Sequence, residues 1–316
     1  MEERNYTPAS EPTIYFFGVT TAASSIMKVF PKWAEELGIK AVIRGVDFNL
    51  HDAPEEYRKA VLFIKGDPLS MGALVTAHKI DLYKASSDLF DSLDPFAELI
   101  HETSCLVSAA GTLKGFAKDP VSSGLSMESL VGEGYWRKHG GELCILGAGG
   151  SGTALTLYTL MTRDKKDLPS RIIVTNRSIP RLDELRRMVG GLEPSVPVDF
   201  VPAPEPAYND AVVSALKPYS MVCNATGLGK DRPGSPITEA AVFPENGIAW
   251  DFNYRGELLF LDQARRQKAE KRLRVEDGWT YFVHGWTRAL AEIFSVYIPV
   301  CGKAFDRLSE IAARYR

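Results

Sequence analysis

The most constraining feature of this chain lies at residues 143–162. A short apolar run, Leu143–Leu146, leads into Gly147-Ala148-Gly149-Gly150-Ser151-Gly152, and the stretch TALTLYTLMT follows. Strand, glycine-rich turn and helix in that order form the entry to a dinucleotide-binding sheet. The glycines permit a tight turn and a close backbone approach, and the helix N-terminus then favours a pyrophosphate. A second apolar strand, RIIVTN, and a second helix, PRLDELRRMV, continue the alternation, and further strands are expected at 221–224 and 248–252. Alternating strands and helices predict a doubly wound parallel sheet.

The end of the second strand selects the dinucleotide. A version that binds NAD places Asp or Glu there, against the ribose hydroxyls. Here the strand ends Asn176-Arg177-Ser178, with Arg181 close behind. A guanidinium pairs with a 2′-phosphate where a carboxylate would repel it, so NADP is the expected cofactor. Asn224-Ala225-Thr226 follows a later strand and is expected to border the nicotinamide ribose. Gly278 completes the expected cofactor set.

The N-terminal third has a different pattern. Residues 1–12 read as a flexible leader without the apolar core of a signal peptide. Ile14–Gly18 reads as a buried strand, residues 24–37 as a helix stopped by Gly38, and residues 40–49 as the next strand. Residues 54–64, 81–87 and 95–100 read as helices, residues 73–76 as a short strand, and 105–108 with 113–116 as a hairpin. Pro120–Gly124 reads as a domain boundary, with a helix over 127–138 beyond it. The last stretch, 282–316, is helix-like and expected to pack back on the first domain. Residues 1–121 with 280–316 thus form a substrate domain, and 122–279 a Rossmann-type NADP-binding domain.

Composition narrows the function classes. Thirty-seven basic and 40 acidic residues leave a net charge of −3, which gives no reason to expect a nucleic-acid partner. No apolar run reaches the roughly 18 residues of a membrane span. Cys105, Cys144, Cys223 and Cys301 lie far apart, so no metal site or disulfide framework is expected, and a reducing, cytoplasmic setting is. The chain is long enough to stand as a monomer, and a homodimer stays open.

Hydride transfer without a metal needs a positioned proton donor or acceptor. The candidates are Lys79, which opens a helical stretch after a short strand, and Asp119, at the domain boundary.

These residues carry a resemblance. The chain resembles the shikimate/quinate dehydrogenase family over residues 14 to about 290. The family's early Gly, polar loop and Ser-x-Ser are echoed by Gly18 to Ile26, and its Asn-Val-Thr-x-Pro-x-Lys by Leu74 to Lys79. Gly115 to Asp119 echo its Gly-x-Asn-Thr-Asp. Gly147–Gly150, Asn176-Arg177-Ser178, Asn224-Ala225-Thr226 and Asp251 to Tyr254 follow in the family's order.

The resemblance implies reversible oxidation of a ring secondary alcohol, on a small cyclic hydroxy acid, with NADP. It implies Lys79 and Asp119 as the catalytic pair. It also implies substrate contacts at Ser24, Thr76, Ser104 and Tyr254, with His284 beside them. The departures point away from shikimate itself. The second Ser is Ile26, the pocket Asn aligns with Ser104, and the pocket Gln aligns with Gly285. A site that reads a polyol through hydrogen bonds discriminates strongly, so losing several such groups predicts a different substrate. Two alternatives stay open: shikimate or quinate held by new groups such as Thr20, Ser25 or Lys28, and a non-catalytic NADP-binding sensor. His284, Trp279, Tyr281 and Trp286 would make the pocket bulkier, or else belong to the core.

Overall fold

The computed structural model describes residues 6–230 and 232–316. They divide into two units: the described residues up to Lys118 with Gly285–Arg316, and Asp119–His284.

The first unit begins with β1 (Thr13–Gly18), every residue of which is buried. An unbroken apolar run of this kind suits a strand covered on both faces. α1 (Ile26–Leu37) follows and buries Ile26, Val29, Phe30, Trp33 and Ala34, one stripe at helical spacing. Gly38, at φ +67°, ends it in the left-handed conformation that glycine adopts without strain. Then come β2 (Val42–Asp47), α2 (Pro54–Gly66), β3 (Ser70–Val75), α3 (Lys79–Ser86), β4 (Ser92–Leu93), α4 (Pro95–Ile100), β5 (Cys105–Ala109) and β6 (Thr112–Phe116). The sheet order is β2-β1-β3-β5-β6-β4. β1, β2 and β3 are parallel, and β5 is antiparallel to both β3 and β6. Ala110 and Gly111, both at positive φ, close the β5–β6 hairpin.

The second unit is built on α5 (Lys118–Val131), α6 (Tyr135–His139), β7 (Leu143–Leu146), α7 (Gly150–Met161), β8 (Ile172–Asn176), α8 (Ile179–Gly190), β9 (Val198–Pro202), α9 (Pro206–Ser214), β10 (Met221–Asn224), β11 (Ile248–Asp251), α10 (Leu259–Lys271) and β12 (Arg274–Glu276). Its sheet runs β12-β11-β10-β7-β8-β9, all parallel. The strand order reverses between β7 and β10, and ligands of such sheets bind beyond the strand ends at that point. α11 (Trp279–Ile293) carries the chain back into the first unit. There α12 (Lys303–Ala313) lies on α1, and Trp33 Nε1 donates to the Leu308 carbonyl at 2.8 Å. The return of the C-terminal helices is as expected.

Three expectations need correction. Residues 1–5 lie outside the described residues, but from Tyr6 onward the leader is tied down. Tyr6 stacks on Phe63 with ring centroids 5.0 Å apart, and the Ala9 amide donates to Asp67 Oδ2 at 2.8 Å. The Pro120–Gly124 stretch is helical, inside α5. Pro120 sits in the first turn, where no intrahelical donor is lost, and a Cβ at Gly124 would lie 2.0 Å from the Tyr158 ring of α7. The helix expected over 127–138 is two helices, because Gly132 and Gly134 both take positive φ between them.

All four cysteines are reduced. Cys105, Cys144 and Cys223 are buried and Cys301 is exposed. No described helix is long and apolar enough to cross a membrane.

Candidate nucleotide and substrate sites

The glycine loop after β7 divides its labour. A Cβ at Gly152 would lie 1.9 Å from the Gly147 carbonyl oxygen, and one at Gly147 would lie 2.9 Å from the Ala225 carbonyl oxygen. These two glycines let the turn close on itself and on β10. A Cβ at Gly149 or Gly150 would meet nothing within 4 Å. That open space lies at the start of α7, whose first amides have no partner within the helix, and it gives a phosphate room to approach. Asn176 braces the loop: its Oδ1 accepts from the Ala148 amide at 3.1 Å, and its Nδ2 donates to the Ser178 carbonyl at 2.9 Å. Ser151 lies in the first turn of α7, and Ser178 occupies the position before α8 without a side-chain capping bond.

A cavity of about 450 Å³ opens beside this loop. Gly147, Gly149, Asn176 and Arg177 form one side, and Ala225 and Thr226 lie at the end of β10. Arg177 lines the cavity; Arg181 does not, and instead reaches Glu184 Oε2 at 3.1 Å along α8. The rest of the wall comes from Ala203 to Pro206, Asn209 and residues 232–236. None of these last groups was foreseen. The alternating run VDFV of β9 and the prolines at 204, 206, 233 and 236 were the available signals.

At the ends of β10 and β11 a polar network holds the neighbouring loops. Asn224 is fully buried. Its Oδ1 accepts from the Thr226 amide at 3.1 Å and hydroxyl at 2.6 Å. Its Nδ2 donates to the Leu228 carbonyl at 3.3 Å and to Asp251 Oδ2 at 2.9 Å. Burial pushes the Asp251 carboxyl up to about 6, against hydrogen bonds from Asn253 and Asn224 that favour its charge. Asn224 therefore acts by positioning Ala225 and Thr226. Gly278 has a steric role too: a Cβ there would lie 1.9 Å from the Phe252 carbonyl oxygen.

In the first unit, Lys79 is the first residue of α3, and its carbonyl accepts from the Thr103 amide at 3.3 Å. His78 precedes it, 1% exposed, with Nδ1 at 3.0 Å from the Tyr57 hydroxyl; burial lowers its pKa. Thr76 Oγ1 donates to the Phe17 carbonyl at 3.1 Å. Ser104 Oγ accepts from the Lys118 amide at 2.7 Å, at the start of α5. Ser24 is half-buried, in the turn before α1. Ile26 has no exposed surface, so its side chain belongs to the core. Trp286 is a core residue as well, edge-on to Phe16 at 5.2 Å.

Asp119, half-buried, is the first residue of the second unit and lies in the first turn of α5. Tyr254 packs with Phe282 at 4.9 Å and Trp279 at 5.6 Å. Tyr281 instead packs edge-on to Phe252, and His284 is fully enclosed in α11. A Cβ at Gly285 would meet nothing within 4 Å.

No family model matches the chain. A shikimate dehydrogenase (NADP+) of Lactococcus lactis is 25% identical over 181 residues, 57% of this chain and 60% of that protein. Over that stretch the chain is similar to shikimate dehydrogenases. The matched stretch spans only about 60% of that curated relative's length. Solved structures align over nearly the whole fold. Shikimate 5-dehydrogenase of Listeria monocytogenes, in complex with shikimate and NAD, has TM-score 0.73 and 18% identity, covering 98% of this chain and 99% of that one. The 5-ketofructose reductase of a Gluconobacter strain has TM-score 0.70 and 14% identity, covering 96% and 98%. At such identities the likeness establishes a shared fold.

Proposed function

We propose that the protein is an NADP-dependent dehydrogenase that reversibly oxidises a ring secondary alcohol of a cyclic hydroxy acid. The observation that carries this reading is the glycine cradle with Arg177, rather than a carboxylate, at the end of β8. Gly149 and Gly150 leave room for the pyrophosphate, and Arg177 supplies a cation for a 2′-phosphate. The L. lactis relative, named for NADP+, agrees. In this reading the second unit holds the cofactor and the first unit the substrate.

NADP, when bound, supplies the hydride acceptor. Lys79 takes the hydroxyl proton on Nζ as the carbon loses hydride, and Asp119 hydrogen-bonds the substrate and orients the lysine. Ser24 and Tyr254 complete the substrate contacts. Thr76 and Ser104 already use their hydroxyls on backbone partners, so they shape the site more than they read the ligand. Ile26 in the core and open space at Gly285 support a substrate other than shikimate.

The test mixes purified protein, NADP and a panel of cyclic hydroxy acids headed by shikimate and quinate, and follows nicotinamide reduction. Turnover is expected on a panel member, and Lys79→Ala should lower kcat by about a hundredfold to ten-thousandfold with NADPH affinity retained. Full turnover by Lys79→Ala overturns the catalytic assignment. Tight NADPH binding with no turnover on any member would favour a sensor instead.

A further inference from the structure

Among the described residues, three charged ones line the nucleotide cavity: Arg177, Glu205 and Arg232. Arg177 and Glu205 together carry no net charge. Arg232 is what makes the described lining positive, and neither arginine has an ion-pair partner among the described residues. Arg181, the second cation expected from sequence, is turned along α8 to Glu184 and is not part of the lining.

Arg232 sits on a loop held from several sides. The Gly229 amide donates to the Arg232 carbonyl at 2.7 Å. The Leu258 amide donates to the Gly229 carbonyl at 3.1 Å. Asn209 Nδ2 of α9 donates to the Pro236 carbonyl at 2.8 Å, and Ser235 Oγ donates to Gln263 Oε1 of α10 at 2.6 Å. Asn224 and Asn253 both donate to the Leu228 carbonyl at 3.3 Å. These hydrogen bonds hold the described backbone on both sides of Arg232, which lowers the ordering cost of binding.

From this placement we infer that Arg232 is the second cation for the 2′-phosphate of NADP, working with Arg177 from another loop of the same cavity. The pyrophosphate has the α7 N-terminus, so it does not need this arginine. A 2′-phosphate carries close to two negative charges, and Arg177 alone, offset by Glu205, would leave it undercompensated. Arg232 thereby sets the preference for NADP over NAD. The inference rests on the NADP reading above and goes beyond it by assigning the selectivity to a loop outside the β8 end.

The experiment titrates NADPH and NADH, by nicotinamide fluorescence, into the wild type, Arg232→Ala and Arg232→Lys. Arg232 is exposed, so the substitutions do not threaten folding. Arg232→Ala should weaken NADPH by about tenfold to a hundredfold and leave NADH within about twofold. Arg232→Lys should recover part of the NADPH affinity, since a point charge replaces a forked donor. Unchanged NADPH affinity in Arg232→Ala, or equal losses for both nucleotides, overturns the assignment of Arg232 alone. A wild type that binds neither nucleotide overturns the cofactor reading and this inference with it.

Discussion

β1 and β7 are each flanked by two parallel neighbours, and each feeds a loop and a helix. The loops have opposite characters. After β1 the polar groups satisfy one another. The Thr21 amide and hydroxyl both donate to Asp47 Oδ1, at 2.8 and 2.6 Å, and the Phe48 amide donates to the Gly18 carbonyl at 2.8 Å. Gly45 on β2 makes room for this, since a Cβ there would strike the Thr21 hydroxyl. The helix then opens with Ile26 in the core. After β7 the loop is nearly all glycine, and its middle faces open space. The lesson is that one strand–loop–helix turn can be committed to internal packing or left as a backbone cradle, and that small residues at particular positions decide which.

The comparison can be broken most directly at Gly152. Replacing it with alanine puts a carbon against the Gly147 carbonyl oxygen, so the turn must open. Roughly 3 kcal/mol of strain, about a hundredfold in NADPH Kd, is expected by fluorescence titration. An unchanged Kd would mean the cradle does not depend on that close approach. On the other side, Ile26→Ser supplies the hydroxyl of the resembled Ser-x-Ser pattern but puts it into the core. A loss of about 2–4 kcal/mol in urea unfolding is expected, with no gain in shikimate turnover. A neutral effect on stability together with new turnover would show that the first loop is a binding loop after all.

The third and smallest effect concerns the network beside the cradle. Asp251 is pushed up to about 6 by burial, while an unfolded aspartate titrates near 4. Between those values the folded state holds the extra proton, so the wild type loses stability as pH rises from about 4 to about 6. Asp251→Asn has no such proton. The wild type should therefore lose stability relative to Asp251→Asn over that window and run parallel to it above. Parallel curves throughout would mean the carboxyl is not shifted.

Legibility in the sequence followed the same division. The second sheet was readable because apolar strands, a glycine turn and helical spacing are local signals, and Arg177 was readable because it stands at a strand end. Pro120 and Gly124 misled, because a breaker in the first turn costs little and Gly124 is demanded by Tyr158, 34 positions away. β9 and α9 passed unnoticed, and with them Asn209 and the far wall of the cavity. Arg232 could not be singled out by spacing, since hydrogen bonds to α9 and α10 place its loop. At Gly278 the lack of a side chain makes room for the Phe252 carbonyl, a demand that spacing does not reveal. Ser104 aligned with a ligand-reading position, yet its oxygen receives the Lys118 amide.

The cysteines offer a chemical handle. Burial pushes the Cys105 and Cys144 thiols up to about 12 and Cys223 well above its usual range, so none of the three offers an accessible thiolate in the folded chain. Cys301, between α11 and α12, is the exposed exception. A fluorophore or spin label carried on a thiol-selective reagent thus has a single address on the native protein, without any engineering of the others.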